Sequence, residues 1–366
     1  MSLEKNKRTE EKDIIPDVIS SIEVQYGPGT AMTLGQDGVF CDVISWIPTG
    51  STLLDLAIGK GIPVGRLTEV YGEPGTGKST LVATIIGQHQ KNGGVAVLFD
   101  TEAAFLPEQA TRIGVDVDKL IYAQPAHLQD LFGMMELSIN RIKASKDPRP
   151  LLIVWDSVAA TPTKEELEGE FGASHMGLHA RLISQALRKL IGLISKERVA
   201  LLFVNQAKSS LGDKWGDQIA TLGGFAIPFH ASVRIYLKRI GFLQDGSYEK
   251  YGILLEAETK KNKVSPPFKK SKVQLEFARG IVDEATWIEF LTVRGLIGRK
   301  GSWYYFRYPE TLPIDPTSDT YLKLQYQGYL KKLEAEPEFK AYLKRLVVEN
   351  YAKKPIVVTG SKDEED

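Results

Sequence analysis

The octapeptide Gly72-Glu73-Pro74-Gly75-Thr76-Gly77-Lys78-Ser79 constrains this chain more than any other stretch. It fits the pattern G-x-x-x-x-G-K-[ST] between a strand-like run and a helix-like run. Glycine lets the backbone turn its N–H groups inward around phosphate oxygens, and the helix that follows adds partial positive charge at its N-terminus. Lys78 is then placed for the β- and γ-phosphates and the Ser79 hydroxyl for Mg2+, with Thr80 extending the cradle. Glycine makes up about 7% of residues in average proteins, so a chance match in a chain of this length is on the order of one in a hundred. A mere glycine turn is the competing reading. ATP and Mg2+ are the expected cofactors.

A loop of this kind sits on a parallel sheet, and the chain supplies the pattern. Leu67–Tyr71 reads as a strand and is followed by a helix to about Gln90. Val95–Asp100, Leu151–Asp156 and Val199–Asn205 read as further apolar strands separated by helical stretches. Strands alternating with helices predict an α/β fold whose central sheet is mainly parallel and covered on both faces. The three later strands end in polar residues: Asp100 and Glu102, Asp156 and Ser157, Asn205 and Gln206. Ligands bind at the carboxyl ends of such strands, so these groups are expected to converge. Asp156, behind four apolar residues and Trp155, has the setting of a carboxylate that holds magnesium, against the plainer reading of a strand-end cap. Glu102 is placed to orient or deprotonate the water that attacks the γ-phosphate. Asp100 competes for that role, and a helix cap is the plain reading of either.

Outside the core, Ile14, Ile15, Val18, Ile19, Ile22 and Val24 recur at helical spacing before Gly27-Pro28-Gly29. They predict one helix, packed on its own domain or on a neighbouring subunit. Residues 1 to about 13 are charged and expected to be disordered. After Gly280, short mixed elements carry Trp287, Phe290 and Trp303, and a Lys/Leu/Tyr-rich helical run extends to about Val348. The expected domains are an N-terminal oligomerisation arm (1–45), an ATPase core (46–280), a small C-terminal domain (281–348) and a charged tail (349–366).

Lys plus Arg and Asp plus Glu each total 46, so no global basic field advertises a nucleic-acid partner and any such site must be local. The lone Cys41 excludes an internal disulfide and a multi-cysteine metal centre. The amino end has no apolar signal region, and nowhere do eighteen apolar residues run together. A cytoplasmic protein with no membrane partner is expected. The strongest basic run, Lys260-Lys261-Asn262-Lys263 with Lys269, Lys270 and Lys272 beyond, is a solvated loop by default and a phosphate or DNA contact by alternative. Two polar, glycine-containing stretches, Glu168–Gly177 and Ala207–Gly224, follow functional strand ends and read as mobile loops.

From the residues alone the reading reaches a Mg-ATPase. At Glu168-Gly169-Glu170-Phe171-Gly172-Ala173-Ser174-His175-Met176-Gly177-Leu178, with Ala180-Arg181 and Ser184-Gln185-Ala186-Leu187-Arg188 after it, the sequence resembles the bacterial RecA family. The resemblance covers roughly residues 14–310. It takes in Ser51–Asp55, Val204-Asn205-Gln206, Gly223-Gly224, Ala231–Arg234, Lys261-Asn262-Lys263 and Pro267-Phe268 in one order. It implies a RecA-type P-loop ATPase core with an N-terminal helix and a small C-terminal α/β domain. The implied function is an ATP-dependent recombinase that forms a filament on single-stranded DNA and exchanges it into a homologous duplex, with DNA-stimulated ATP hydrolysis. By similarity, Glu102 is the water-activating carboxylate and Gln206 the γ-phosphate sensor. Lys261 and Lys263 reach the neighbouring subunit's ATP. The stretches Glu168–Gly177 and Ala207–Thr221 correspond to two DNA-binding loops, with Met176 and Leu211 as wedges between base triplets. Arg181 and Lys208 are phosphate contacts, and Gly177, Gly212, Gly223 and Gly224 belong to the DNA-binding set. The N-terminal helix becomes a subunit-docking element, with Phe229 at the same interface. The sequence departs from the family at Gln109, where RecA proteins stack a Tyr on adenine, at Leu106 in place of an Asp, and in the second loop. A RecA-fold helicase or regulatory ATPase, and an ATP-gated DNA coat with vestigial hydrolysis, are the alternative functions.

Overall fold

The computed structural model describes residues 13–34, 43, 45–170, 177–195, 197–209, 219–244, 246, 248–308 and 322–353. Residues up to 42 and residues from 43 onward form separate compact units. In the first, helix α1 (Ile15–Tyr26) begins with Pro16 in its first turn, where the missing N–H costs nothing, and ends at Gly27 with φ of +102°. It lies within one or two residues of the span that the apolar spacing predicts. Residues 1–12 and 354–366 lie outside the described residues, and the expectations for them with them.

In the second unit two short antiparallel strands, β1 (Trp46–Ile47) and β2 (Ile62–Pro63), flank α2 (Thr52–Ile58). Then follow β3 (Leu67–Gly72), α3 (Lys78–Lys91), β4 (Val95–Asp100), α4 (Pro107–Ile113), β5 (Leu120–Ala123) and α5 (Leu128–Ser145). The alternation continues through β6 (Leu151–Asp156), α6 (Lys164–Glu168), α7 (Leu178–Ile194) and β7 (Val199–Ser209). Beyond it come β8 (Ile219–Thr221), α8 (Ala226–His230), β9 (Val233–Gln244), β10 (Lys250–Asn262), β11 (Lys270–Glu276) and β12 (Gly280–Ile281). Last are α9 (Asp283–Val293), β13 (Gly298–Lys300), β14 (Trp303–Phe306), β15 (Leu322–Gln325), α10 (Tyr326–Ala335) and α11 (Pro337–Asn350).

The main sheet runs β12-β11-β10-β9-β3-β7-β6-β4-β5, with β8 paired to β7. From β9 to β5 all neighbours are parallel, whereas β9 through β12 pair antiparallel. The parallel part was legible because strands buried on both faces read as continuous apolar runs. The antiparallel extension was not, since its long strands carry many Lys and Glu residues on a half-exposed face. Period-two alternation sorts β6 between two cores: Leu152 and Val154 join the side chains of α3, while Leu151, Ile153 and Trp155 join those of α5 and α7. Trp155 meets Phe203 edge-on at 4.9 Å between ring centroids. Ile183, Leu187, Leu190 and Ile194 form the buried stripe of α7 at spacings of three and four. A third cluster, built on Trp287, Leu291, Phe306, Tyr329 and Phe339, includes Leu53 from α2.

The strand read as Val199–Asn205 continues to Ser209, and Ala207 to Ser209 pair with Thr221 to Ile219 of β8. The second of the expected mobile loops therefore stands on a two-stranded ladder, so the loop proper is shorter than the sequence suggests.

Candidate nucleotide site

Strand register places the site. Gly72, the last residue of β3, is the partner of Gln206 on β7, and Asp100 on β4 is the partner of Asp156 on β6. The ends of these four strands thus lie together at the carboxyl end of the sheet, as the doubly wound topology requires. Gly75 and Gly77 have φ of +72° and +71°, a left-handed backbone that only glycine adopts without strain. A Cβ on Gly77 would also lie 2.9 Å from Ile253 Cδ1.

One cavity of about 220 Å³ is lined by Pro74, Gly75, Gly77, Lys78, Ser79, Thr80, Glu102, Asp156 and Gln206. Lys78 Nζ donates to the carbonyls of Gly72 at 3.1 Å and Glu73 at 2.9 Å, which folds the loop around the ammonium. The Thr76 hydroxyl closes the same turn on Glu73 O at 2.8 Å. Burial pushes the Lys78 pKa down, against the pull of Asp156 and Glu102. Burial pushes the Asp156 carboxyl up to about 6, a hydrogen bond from Ser79 opposes it, and Glu102 and Asp100 reinforce it.

The two competing carboxylates have different surroundings. Asp100 is 3% exposed and accepts hydrogen bonds from the backbone N–H groups of Glu102 (3.1 Å) and Phe105 (3.0 Å) and from the Tyr122 hydroxyl (3.0 Å). Its capacity is spent on shaping the loop after β4. Glu102 is exposed to the cavity, accepts from the Ser157 hydroxyl, and takes the amide of Gln206 on Oε1 at 3.4 Å.

Behind Gln206 lies a buried polar chain that sequence reasoning missed. Asn205 Oδ1 accepts from the Gln206 N–H at 2.9 Å, and its Nδ2 donates to Glu69 Oε1 at 2.9 Å and to Leu222 O at 2.8 Å. Glu69, fully buried, also pairs with Arg234 Nε at 2.5 Å. Arg234 Nη2 donates to Thr221 Oγ1 at 3.3 Å, and its guanidinium stacks 4.5 Å from the centre of the Tyr71 ring. The signal was a Glu in the otherwise apolar β3 and an Arg in β9, since an unaccompanied charge is not stable in a sheet interior.

The other expected residues fall elsewhere. Lys261 Nζ donates to Pro228 O at 2.6 Å and Phe229 O at 2.9 Å, and neither Lys261 nor Lys263 lines the cavity of its own chain. Burial, then the neighbouring charges of Lys263 and Arg234, lower the Lys261 pKa to about 8. Phe225 and Phe229 on the same short segment are 91% and 72% exposed. Gly177 caps α7 with φ of +82°, and Arg181 is exposed on that helix. Gly223 is buried, with Ile183 and Ile227 each 3.1 Å from where a Cβ would stand, and Gly224 leaves 3.0 Å to Ala180 Cβ. Met176, Leu211 and Gly212 lie outside the described residues, as does the side chain of Lys208. Gln109 lines a neighbouring recess with Thr80, Phe105 and Ile113, its amide 3.5 Å from Phe277 O.

Ser79 and Asp156 present oxygen donors, the kind a hard divalent cation takes. Among the described residues no three His, Cys, Asp or Glu side chains gather into a metal cage, so such an ion would lean on nucleotide oxygens and water. No helix among them is long and apolar enough to cross a membrane.

Residues 13–282 match the RecA N-terminal domain. Curated proteins named Protein RecA are similar over most of their length. That of Nostoc punctiforme is 36% identical over 344 residues, covering 94% of this chain and 90% of its own. That of Leptospira meyeri is 39% identical over 313 residues, 84% of this chain and 79% of its own. That of Thermus aquaticus is 39% identical over 306 residues, 83% and 86%. With the P-loop, the strand-end carboxylates and the amide of Gln206 on one edge of a RecA-like sheet, the chain belongs to the RecA family of ATP-binding DNA recombinases.

Proposed function

We propose that ATP bound in the Gly72–Thr80 cradle is hydrolysed with Glu102 as the general base, and that Gln206 transmits the state of the γ-phosphate to the DNA-binding loops. The observation that carries this reading is the hydrogen bond between Gln206 and Glu102 across the cavity that holds Lys78 and Asp156. Glu102 takes a proton from the attacking water as its oxygen bonds to the γ-phosphorus; the bridging bond to the β-phosphate breaks and ADP leaves. Lys78 balances charge on the β- and γ-phosphates. A Mg2+ ion held by Ser79 and Asp156 would neutralise the phosphate oxygens. The γ-phosphate competes with Glu102 for the Gln206 amide, so the nucleotide decides which of the two Gln206 serves.

Any shift of Gln206 pulls on Asn205, which grips the segment after β8, while Arg234 grips Thr221. Both ends of the second loop are thereby tied to the nucleotide. Lys261 and Lys263, neither of which lines the cavity of its own chain, are assigned to the ATP of the adjacent subunit in a filament on single-stranded DNA, where they stabilise transition-state charge. DNA contact falls to the two loops, with Met176, Gly177 and Arg181 in the first and Lys208, Leu211, Gly212, Gly223 and Gly224 in or beside the second. Pairing with a homologous duplex and strand exchange follow from that filament. The domain limits 1–45, 46–280, 281–348 and 349–366 are part of the same reading. Lys78→Ala should abolish DNA-stimulated phosphate release and, with it, exchange of homologous strands; wild-type turnover in that variant would refute the site.

A further inference from the structure

Between β11 and α9 lies a cavity of about 690 Å³ that shares no lining residue with the nucleotide site. Its volume is that of a small-molecule pocket. Three donors on its walls lack anionic partners. Ser271 is 6% exposed, and its Oγ has no hydrogen-bond partner among the described residues. Arg294 donates from Nη2 to Tyr351 O at 3.0 Å and lies 5.0 Å from the centre of the Phe290 ring, but its buried Nη1 has no hydrogen-bond partner among the described residues. Lys269 Nζ sits 5.7 Å from the centre of the Tyr351 ring and donates to the Ser265 hydroxyl at 3.4 Å. Lys269 and Arg294 therefore converge on one tyrosine and, among the described residues, neither forms an ion pair. The other two lysines on the wall are already neutralised, Lys270 by Glu256 at 2.9 Å and Lys272 by Glu289. Leu53, Phe290 and Tyr351 make the remaining wall apolar and flat-sided, with the Phe290 and Tyr351 rings stacked at 6.1 Å.

We infer that this cavity binds a phosphate monoester with a flat apolar body, its terminal oxygens held by Arg294, Lys269 and Ser271. A monoester near neutral pH carries between one and a half and two negative charges and offers three strong acceptor oxygens, roughly matching two unpaired cations and three donors. A carboxylate would leave one cation and one donor unmatched. The apolar body lies against Phe290 and Leu53, where burial favours it.

The test uses phenyl phosphate, titrated calorimetrically into the full chain saturated with ADP so that the P-loop is occupied. Binding at one site per chain is expected, with inorganic phosphate and benzoate each weaker by about tenfold or more. Arg294→Gln and Lys269→Gln should each weaken phenyl phosphate by about tenfold or more, since each removes a charged donor. Lys78→Ala should leave it unchanged. Circular dichroism melts establish that the variants fold, and Lys269→Gln, which breaks no internal ion pair, decides the matter should Arg294→Gln prove unstable. Absence of binding at millimolar phenyl phosphate, wild-type affinity in both variants, or loss on Lys78→Ala overturns the inference. Tighter binding of benzoate overturns the assigned class.

Discussion

Two carboxylates two residues apart, Asp100 and Glu102, differ in what they are free to do. Asp100 is consumed by three donors, while Glu102 faces the cavity and shares its hydrogen bonds with Ser157 and Gln206. Glu102→Gln keeps the size of the side chain but removes the base, so ATP should bind with near-normal affinity while hydrolysis falls by about 10²- to 10⁴-fold. Nucleotide affinity and phosphate release, measured on one preparation, check this, and loss of hydrolysis in Asp100→Asn alone would reverse the assignment. A second pair of carboxylates sets a pH dependence of stability. Burial pushes Asp55 up to about 7, opposed by hydrogen bonds from Thr49, and burial pushes Asp283 up to about 6, opposed by those from Thr52. The charge of Asp283 adds to the rise at Asp55, and that of Glu284 adds to the rise at Asp283. The folded chain holds protons there that the unfolded chain releases near pH 4, so stability contributed below that pH is lost as pH rises toward about 7. Asp55→Asn should flatten this decline, because the amide oxygen still accepts the Thr49 N–H at 2.8 Å and carries no charge. Melting temperatures at pH 5 and pH 8 measure it; an unchanged slope would mean that Asp55 ionises normally.

At the scale of elements, the ladder of β7 and β8 explains how a single amide can reach a loop. Gln206 stands three residues before the end of β7; Asn205 of the same strand holds Leu222, just after β8, and Arg234 of β9 holds Thr221 of β8. ATP should therefore favour the DNA-binding arrangement and ADP release it, and DNA must tighten ATP relative to ADP by the same factor. Gln206→Ala should retain nucleotide binding through the P-loop while its DNA affinity becomes nearly equal with ATP and ADP at one fixed salt concentration. A retained wild-type ratio would place the switch elsewhere. Asn205→Ala is expected to act more broadly. It leaves the Gln206 N–H unpaired and takes a partner from Glu69, costing about 1–3 kcal/mol for an unsatisfied buried group. Urea titration reads that loss, and coupling should fall with it.

For the whole molecule, the position of Lys261 matters most. Its ammonium is held by the carbonyls of Pro228 and Phe229, on the segment that carries the exposed Phe225 and Phe229, and it does not line the cavity of its own chain. A site completed by the next subunit predicts that Lys261→Ala and Lys78→Ala, each defective alone, regain DNA-stimulated turnover when mixed. In a random equal mixture about a quarter of the head-to-tail interfaces pair an intact P-loop with intact lysines. Mixtures no more active than the sum of their parts would argue for a site within one chain. The sequence by itself determined the P-loop, the four central parallel strands and the strand-end residues. Each of these is a local pattern: a glycine spacing forced by backbone geometry, an apolar run forced by burial on two faces, a polar residue where the sheet ends. Only the tertiary structure gave Asp100 and Glu102 their different hydrogen-bond partners, revealed the antiparallel half of the sheet, and joined Glu69, Asn205 and Arg234. These depend on which strands become neighbours and in what register, and residues 136 to 165 positions apart in the chain have no local pattern that announces their meeting.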